Sequence, residues 1–266
     1  MSVSTLIFRV LHQHRRGILG WTLGIVAIVA VQLGVYPTIR SSASDWAKLT
    51  DSFPDAIKQI FRMEDYTSER GYLSAELMSF TVPFIVMGFG CSWGARVGTE
   101  EEEMGTSDLI LSLPISRRRY LVSRITASVL ALGVLLGLFA LALVIGSRAL
   151  EFSIPLHAYA SAVLSLFLIG FLMMSIAIFI GAWKGKRTIA LGLAMACAIA
   201  AFVLYSLGPL VSFIDATMPY NPMQWTIGSQ PLSEGTSPWN TLWAGGIGFF
   251  FLVAAVALFE RRDLAG

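Results

Sequence analysis

The sequence predicts an all-α integral membrane protein with six transmembrane helices, and three observations predict it. Of 266 residues, 55% are hydrophobic and only 14% charged, with a mean hydropathy of +0.69. That composition lies outside the range of soluble globular chains. Six segments each reach the ~20 apolar residues that a helix needs to cross a ~30 Å hydrocarbon core: Gly17–Ile39, Leu73–Val97, Leu121–Ser147, His157–Ala182, Thr188–Ile214 and Trp239–Phe259. With both termini placed in the cytoplasm, 13 of the 19 Lys and Arg residues fall inside. Five of the others lie in one long outer segment, where charge carries little weight in setting orientation. The six segments use most of the chain, so residues 1–266 are expected to form a single transmembrane domain.

Residues 1–16 precede the first span. Val3, Leu6, Ile7, Val10 and Leu11 follow helical periodicity, while Arg9, His12, Gln13, Arg15 and Arg16 occupy other positions. This pattern predicts an amphipathic helix with a basic face, lying in the inner membrane interface. The first span, 17–39, is long and shows no cleavable small-residue site, so it is expected to be retained rather than removed as a signal peptide. The outer segment 40–72 contains Ser52-Phe-Pro-Asp55, which has capping-box spacing, followed by Phe53, Ile57, Ile60 and Phe61 on one face. A short surface helix is expected there. Span two, 73–97, contains Pro83, which should kink it. Its Gly90, Gly94 and Gly98 recur every four residues as a flat ridge for close helix contact. Gly133 and Gly137 in span three (121–147), and Gly192, Ala196 and Ala200 in span five (188–214), form similar ridges. These ridges fit packing within one chain or between two. Cys91 and Cys197 lie in apolar segments and read as small buried hydrophobes rather than a disulfide framework. Before span six, 239–259, four prolines and two tryptophans between Met218 and Trp239 predict an irregular outer loop with aromatic interface anchors.

Several chemistries find no support. No ionisable residue falls near the middle of a predicted span; Glu76, Arg96, Arg148 and Asp215 all lie close to ends. Proton- and ion-coupled transporters usually place carboxylates near the midplane. The three histidines, His12, His14 and His157, offer no zinc spacing, and no nucleophile motif faces one of them. Gly181-Ala-Trp-Lys-Gly-Lys-Arg-Thr188 imitates a phosphate-binding loop. It has three residues between its glycines where four are needed, and Arg187 separates Lys186 from Thr188. It reads as a short basic turn between spans four (157–182) and five. No catalytic residue and no cofactor is expected on this chain, and no nucleic-acid partner.

Between spans two and three lies a polar island, residues 99–120. Four acids, Glu100–Glu103, precede Gly105, which should break the helix they belong to. Thr106 can cap a new helix, with Asp108 in its first turn favoured by the helix dipole. Leu109, Ile110 and Leu113 give that helix an apolar edge, and Pro114 ends it. Ser116 can cap span three, and Arg117, Arg118 and Arg119 sit at headgroup depth, where they can meet anionic lipid. An apolar helix edge outside the bilayer reads either as a docking site for a cytoplasmic partner or as a helix resting on the membrane.

The run from Glu101 to Arg119 resembles the ABC-2 type of ATP-binding-cassette permeases, in its order of acids, Gly-Thr, a leucine-rich turn and Pro-x-Ser-Arg. Gly71-Tyr-Leu-Ser-Ala-Glu76 and the ending Phe259-Glu-Arg-Arg-Asp-Leu-Ala-Gly266 agree with it, and the topology matches over the whole chain. Met104 and Asp108 depart from the Arg and Glu often found there, which leaves the helix intact. The resemblance implies a bacterial plasma-membrane exporter subunit in which the island is a cytoplasmic coupling helix. Thr106, Ser107, Leu109, Ile110 and Leu113 would then form the face that docks on a separate ATPase subunit, which binds ATP and Mg. Glu101, Glu102 and Glu103 would brace that helix against Arg9, Arg15 or Arg16. The resemblance also implies a second permease subunit, the same or similar, with spans two and five lining the route. Phe80, Phe84, Phe202 and Tyr205 are the candidate lining residues, with ordinary helix packing as their other reading. Phenyl and aliphatic lining suits amphiphilic or apolar cargo such as drugs, lipids or peptides. The alternative class is a non-transporting scaffold or sensor that recruits a cytoplasmic partner through residues 100–120. A membrane enzyme acting on lipid is disfavoured by the lack of clustered acids or histidines at one depth.

Overall fold

In the computed structural model the described residues are 3–54, 58, 65–103, 105, 116–228 and 230–261, excluding the side chains of Ala47, Asp51, Glu101 and Glu102. Among them all regular structure is helical. Six helices are long and apolar enough to cross a membrane: Arg15–Ser41, Glu69–Gly94, Arg117–Ala149, Leu156–Lys184, Arg187–Leu210 and Pro238–Arg261. These are spans one to six. They alternate in direction, so the bundle has two unlike ends. Arg9, Arg15, Arg16, Arg96, Arg117–Arg119, Arg124, Lys184, Lys186 and Arg187 gather at one, the basic end. The span ends at Ser41, Glu69, Ala149, Leu156, Leu210 and Pro238 lie at the other, the far end.

The helix ahead of span one runs Val3–Gln13 and stops where His14 leaves helical geometry, at φ −99 and ψ 10. Val3, Leu6, Ile7, Val10 and Leu11 are its half-buried residues, and every other residue of the helix is exposed. The buried stripe lies along span three. The periodicity in the sequence therefore selects the packed face correctly.

Span four is the centre of the bundle. In its most apolar stretch 67% of residues are buried, against 22% for spans one, five and six. Spans two and six pack most extensively on it. The packing against span two is close because Gly90 and Gly94 present bare backbone to Gly170 and Met174. A β-carbon on Gly94 would fall 2.9 Å from that of Ala177 and nearer still to the Met174 carbonyl oxygen. The small-residue ridges elsewhere behave differently. Gly133, Gly137 and Gly192 have nothing near the position of a β-carbon, and Ala196 and Ala200 are exposed. Those two ridges face outward from the chain. Cys197 shares that outward face and is exposed, which corrects the reading of both cysteines as buried; Cys91 is buried as expected, and both are free.

Several boundaries differ from the sequence reading. Span two starts at Glu69 rather than 73, because the Ser68 hydroxyl caps it by accepting from the Gly71 N–H at 3.0 Å. It ends at Gly94 rather than 97 and passes into a turn in which Gly98 takes φ +76. Span five's α-helix stops at Leu207 rather than 214. Gly208-Pro209 tightens the chain into a 3-10 turn, and Val211 is extended ahead of a short helix, Ser212–Asp215. In the outer segment the helix Ala43–Asp51, which the sequence reading missed, closes at Ser52, whose hydroxyl donates to the Leu49 carbonyl at 2.6 Å. Ser52 thus ends a helix; of the surface helix expected to follow it, Lys58 is helical, its N–H donating to the Pro54 carbonyl at 3.2 Å. Ile57, Ile60 and Phe61 lie outside the described residues. The basic turn after span four is short, closed by Gly185 at φ +69. At the start of span three, Ser116 caps as expected, its hydroxyl accepting from the Arg119 N–H at 3.3 Å.

Candidate functional site

Span two joins two unusual clusters, one toward each end of the bundle. Its far half is not a regular α-helix. Residues Ser74–Thr81 form a π-helix, which returns to α-helix at Val82. Pro83 has no N–H to give the preceding turn, so the backbone widens over that turn. The Ser79 hydroxyl donates to the Ser74 carbonyl at 2.7 Å across the wide turn. Wide turns of this kind often mark functional sites, because they re-aim side chains that a regular helix would bury. The kink expected at Pro83 is in this structure a change of helix type.

The wide turn carries Glu76. Its carboxylate accepts from the Gln32 amide of span one at 3.1 Å and from the Tyr66 hydroxyl at 2.6 Å. Gln32 is itself held by the Tyr72 hydroxyl, which lies 2.9 Å from the Gln32 main-chain oxygen and 3.2 Å from its side-chain oxygen. Burial, then the hydrogen bond to Glu76, pushes the Tyr66 pKa above its ordinary value, so this phenol stays protonated and donates. Tyr36, Tyr66, Tyr72, Trp46 and Phe152 pack around this network in tilted and edge-to-face pairs with ring centroids 4.7–5.6 Å apart. One turn further along span two, Phe80 and Phe84 meet Phe202 of span five in a mutual trio, with centroids 5.1, 5.2 and 4.6 Å apart. Tyr205 lies three residues further along span five and is half-buried. The structure therefore brings Phe80, Phe84 and Phe202 together. Phe80 keeps 51% of its surface exposed, so the trio is not closed packing.

At the basic end, span two runs through Arg96 into Glu100, where a second cluster forms. Glu100 lies 3.4 Å from His14 and 3.8 Å from Arg124 of span three. Arg96 reaches His14 at 3.4 Å, and Trp93 packs edge-on against the His14 ring. Arg124 donates to the Tyr120 hydroxyl at 3.1 Å. Burial is the largest single influence on Glu100 and pushes its pKa up. The contact with His14 and the charges of His14, Arg124 and Arg96 together outweigh it and hold the carboxyl below the usual range. One carboxylate thus ties the hinge after the N-terminal helix to the ends of two spans.

Sequence reasoning missed His14, Glu100 and Arg124. The signal for His14 was present, since position 14 continues the packed stripe 3, 6, 7, 10, 11. The bracing expected of Glu101–Glu103 toward Arg9, Arg15 or Arg16 involves, at Glu101 and Glu102, side chains outside the described residues; among the described ones, Glu100 and His14 join this acidic turn to the end of the N-terminal helix. Arg15 turns back to His12 at 3.3 Å, and the Glu103 carboxylate accepts from the Arg187 N–H at 3.1 Å, at the start of span five. Glu101 and Glu102 are helical, in Glu100–Glu103, and their side chains lie outside the described residues. So do Thr106, Ser107, Leu109, Ile110 and Leu113, whose segment opens at Gly105 with φ +64, the break expected there. Arg118 and Arg119 are exposed and Arg117 half-buried at the first turn of span three. Among the described residues no group of His, Cys, Asp or Glu is arranged to hold a metal ion.

Residues 5–260 match the family model described as "Multidrug efflux system permease Rv1217c, C-terminal domain". No curated protein matches the chain.

Proposed function

We propose that this chain, which belongs to that multidrug efflux permease family, is the membrane subunit of an ATP-driven exporter of the ABC-2 type. The observation that carries the reading is the family match over nearly the whole chain, from residue 5 to 260. The resemblance of residues 101–119 to an ABC-2 coupling segment supports the finer assignment. In this reading the basic end is cytoplasmic, in keeping with the charge rule. The chain pairs with a second permease subunit, and Thr106, Ser107, Leu109, Ile110 and Leu113 dock on a separate subunit that binds and hydrolyses ATP with Mg.

The geometry supports a route for coupling. The docking segment is flanked by Glu100–Glu103 on one side and by Ser116 and span three on the other. Movement of that segment pulls on Glu100, and through it on His14 and Arg124. Through Glu103 it also reaches the start of span five. Span two is clamped to span four at Gly90 and Gly94, so a shift of its basic end is carried along a stiff rod to the wide turn at Ser74–Thr81. The phenyl trio there joins spans two and five. It would open or close as those spans part, over an apolar or amphiphilic compound. The test is ATP-dependent uptake of a fluorescent amphiphile into inside-out membrane vesicles containing the chain and its ATPase. Uptake that needs both subunits and ATP is expected. Uptake that persists without ATP, or that ignores loss of this chain, refutes the reading.

A further inference from the structure

Glu76 is a carboxyl group whose hydrogen-bond partners among the described residues are all uncharged. They are an amide and a phenol, Gln32 and Tyr66, both neutral donors. No Lys, Arg or His among the described residues forms an ion pair with it. The other acids near these helices differ: Glu100 has His14 and Arg124, and Glu69 accepts from the main chain and hydroxyl of Ser153 at 2.7 and 3.1 Å. A carboxylate placed among apolar helices without a cation is costly, and such groups are kept where a ligand supplies the missing charge.

The surroundings define the shape of that ligand. Glu76, Phe80 and Phe84 recur every four residues along span two, none of them fully buried; Gln32 of span one lies at the first and Phe202 of span five at the other two. The carboxylate stands at the far-end margin of this row, and the half-exposed Phe80 begins an apolar floor that Phe84 and Phe202 complete. The wide π-turn holds Glu76 and Phe80 in this relation, and Gln32, fixed by Tyr72, orients the carboxylate. An aromatic floor beside an anion attracts a cation twice, through charge and through the ring faces.

We propose that Gln32, Tyr66 and Glu76, with Phe80, Phe84 and Phe202, form a recognition site for a cationic amphiphile. Its positive centre sits at the Glu76 carboxylate and its apolar body on the three phenyl rings. This names the cargo class of the exporter and so rests on that reading. The site itself needs no ATPase to be observed, so its failure and the failure of the exporter assignment are separable.

The test is equilibrium binding to the purified full chain in lipid nanodiscs, with empty nanodiscs subtracted. Two probes of the same shape and opposite charge serve: tetraphenylphosphonium and tetraphenylborate. Wild type is expected to bind the cation saturably and to bind the anion at least about tenfold more weakly. Glu76→Gln keeps an acceptor for Tyr66 and is expected to lose about tenfold or more in affinity for the cation, with anion binding unchanged or improved. Phe202→Ala, which leaves the polar network intact, is expected to weaken the cation severalfold. Saturable binding that treats both ions alike, cation binding unchanged in both variants, or no saturable cation binding by wild type would each overturn the proposal.

Discussion

Replacing Gly94 with alanine tests the rod on which the coupling route depends. A β-carbon at position 94 would stand 2.9 Å from that of Ala177 and 3.1 Å from the carbonyl carbon of Met174, with the Met174 oxygen closer still. Carbon atoms in contact normally lie ~3.5–4.0 Å apart, so spans two and four would have to part locally by about 1 Å. Overpacking of this size typically costs about 1–3 kcal/mol. The better helix propensity of alanine returns at most about 1 kcal/mol. The net expectation for Gly94→Ala is a loss of up to about 2 kcal/mol. Gly133→Ala is the matched control, since nothing approaches its β-carbon position. It gains helix propensity without the clash and is expected to be neutral or stabilised by up to about 1 kcal/mol. Reversible unfolding in mixed detergent micelles, followed by circular dichroism, measures both. Opposite signs support the packing. A Gly94→Ala protein as stable as Gly133→Ala would refute it, and with it the stiff connection between the two clusters.

Two further outcomes follow from the clusters. Glu100→Gln removes the charge that His14 and Arg124 share, and with the side chain only 15% exposed the loss is expected to be about 1–3 kcal/mol. Folding holds the Glu100 pKa below the ordinary carboxylate value. Its contribution is therefore fully present above the unfolded carboxylate pKa and is lost as pH falls through the folded one. Unfolding measured between pH 7 and pH 3 should show wild type losing stability with acid more steeply than Glu100→Gln, and parallel curves would contradict this. Phe84→Ala opens the phenyl trio from the span-two side. It is expected to cut uptake of a large amphiphile severalfold in vesicles while insertion and the amount of protein stay the same; unchanged uptake would return the trio to plain packing.

Much of this fold was legible in the sequence because a membrane helix is specified by length and apolarity, and all six spans follow from that rule alone. The N-terminal helix was legible for the same local reason: Val3, Leu6, Ile7, Val10 and Leu11 keep strict helical spacing. Ser116, Gly105 and Gly185 act where turn and cap chemistry place them. What the sequence could not show arises from contacts between distant residues. Glu76 looked like an unremarkable acid at a span end, because Gln32 and Tyr66 reach it only after spans one and two pack. His14 had no role legible in the sequence, because Trp93 and Glu100 meet it only after the chain folds. The wide turn at Ser74–Thr81 was foreshadowed by Pro83, but a proline permits a kink or a change of helix type, and the Ser79–Ser74 hydrogen bond favours the second. The glycine ridges were ambiguous for a related reason, since spacing alone does not say which neighbour approaches; Gly90, Gly94 and Gly98 meet one within the chain, while Gly133, Gly137 and Gly192 do not.

Co-purification tests the central claim most directly. The full chain and its Leu109→Asp/Leu113→Asp variant are each isolated from the native host in mild detergent, and the bound proteins are identified by mass spectrometry. The account predicts a stoichiometric nucleotide-binding ATPase with the wild type, absent from the variant even though the variant inserts normally. A stable wild-type complex with no nucleotide-binding subunit, or an ATPase held equally by both proteins, would contradict it.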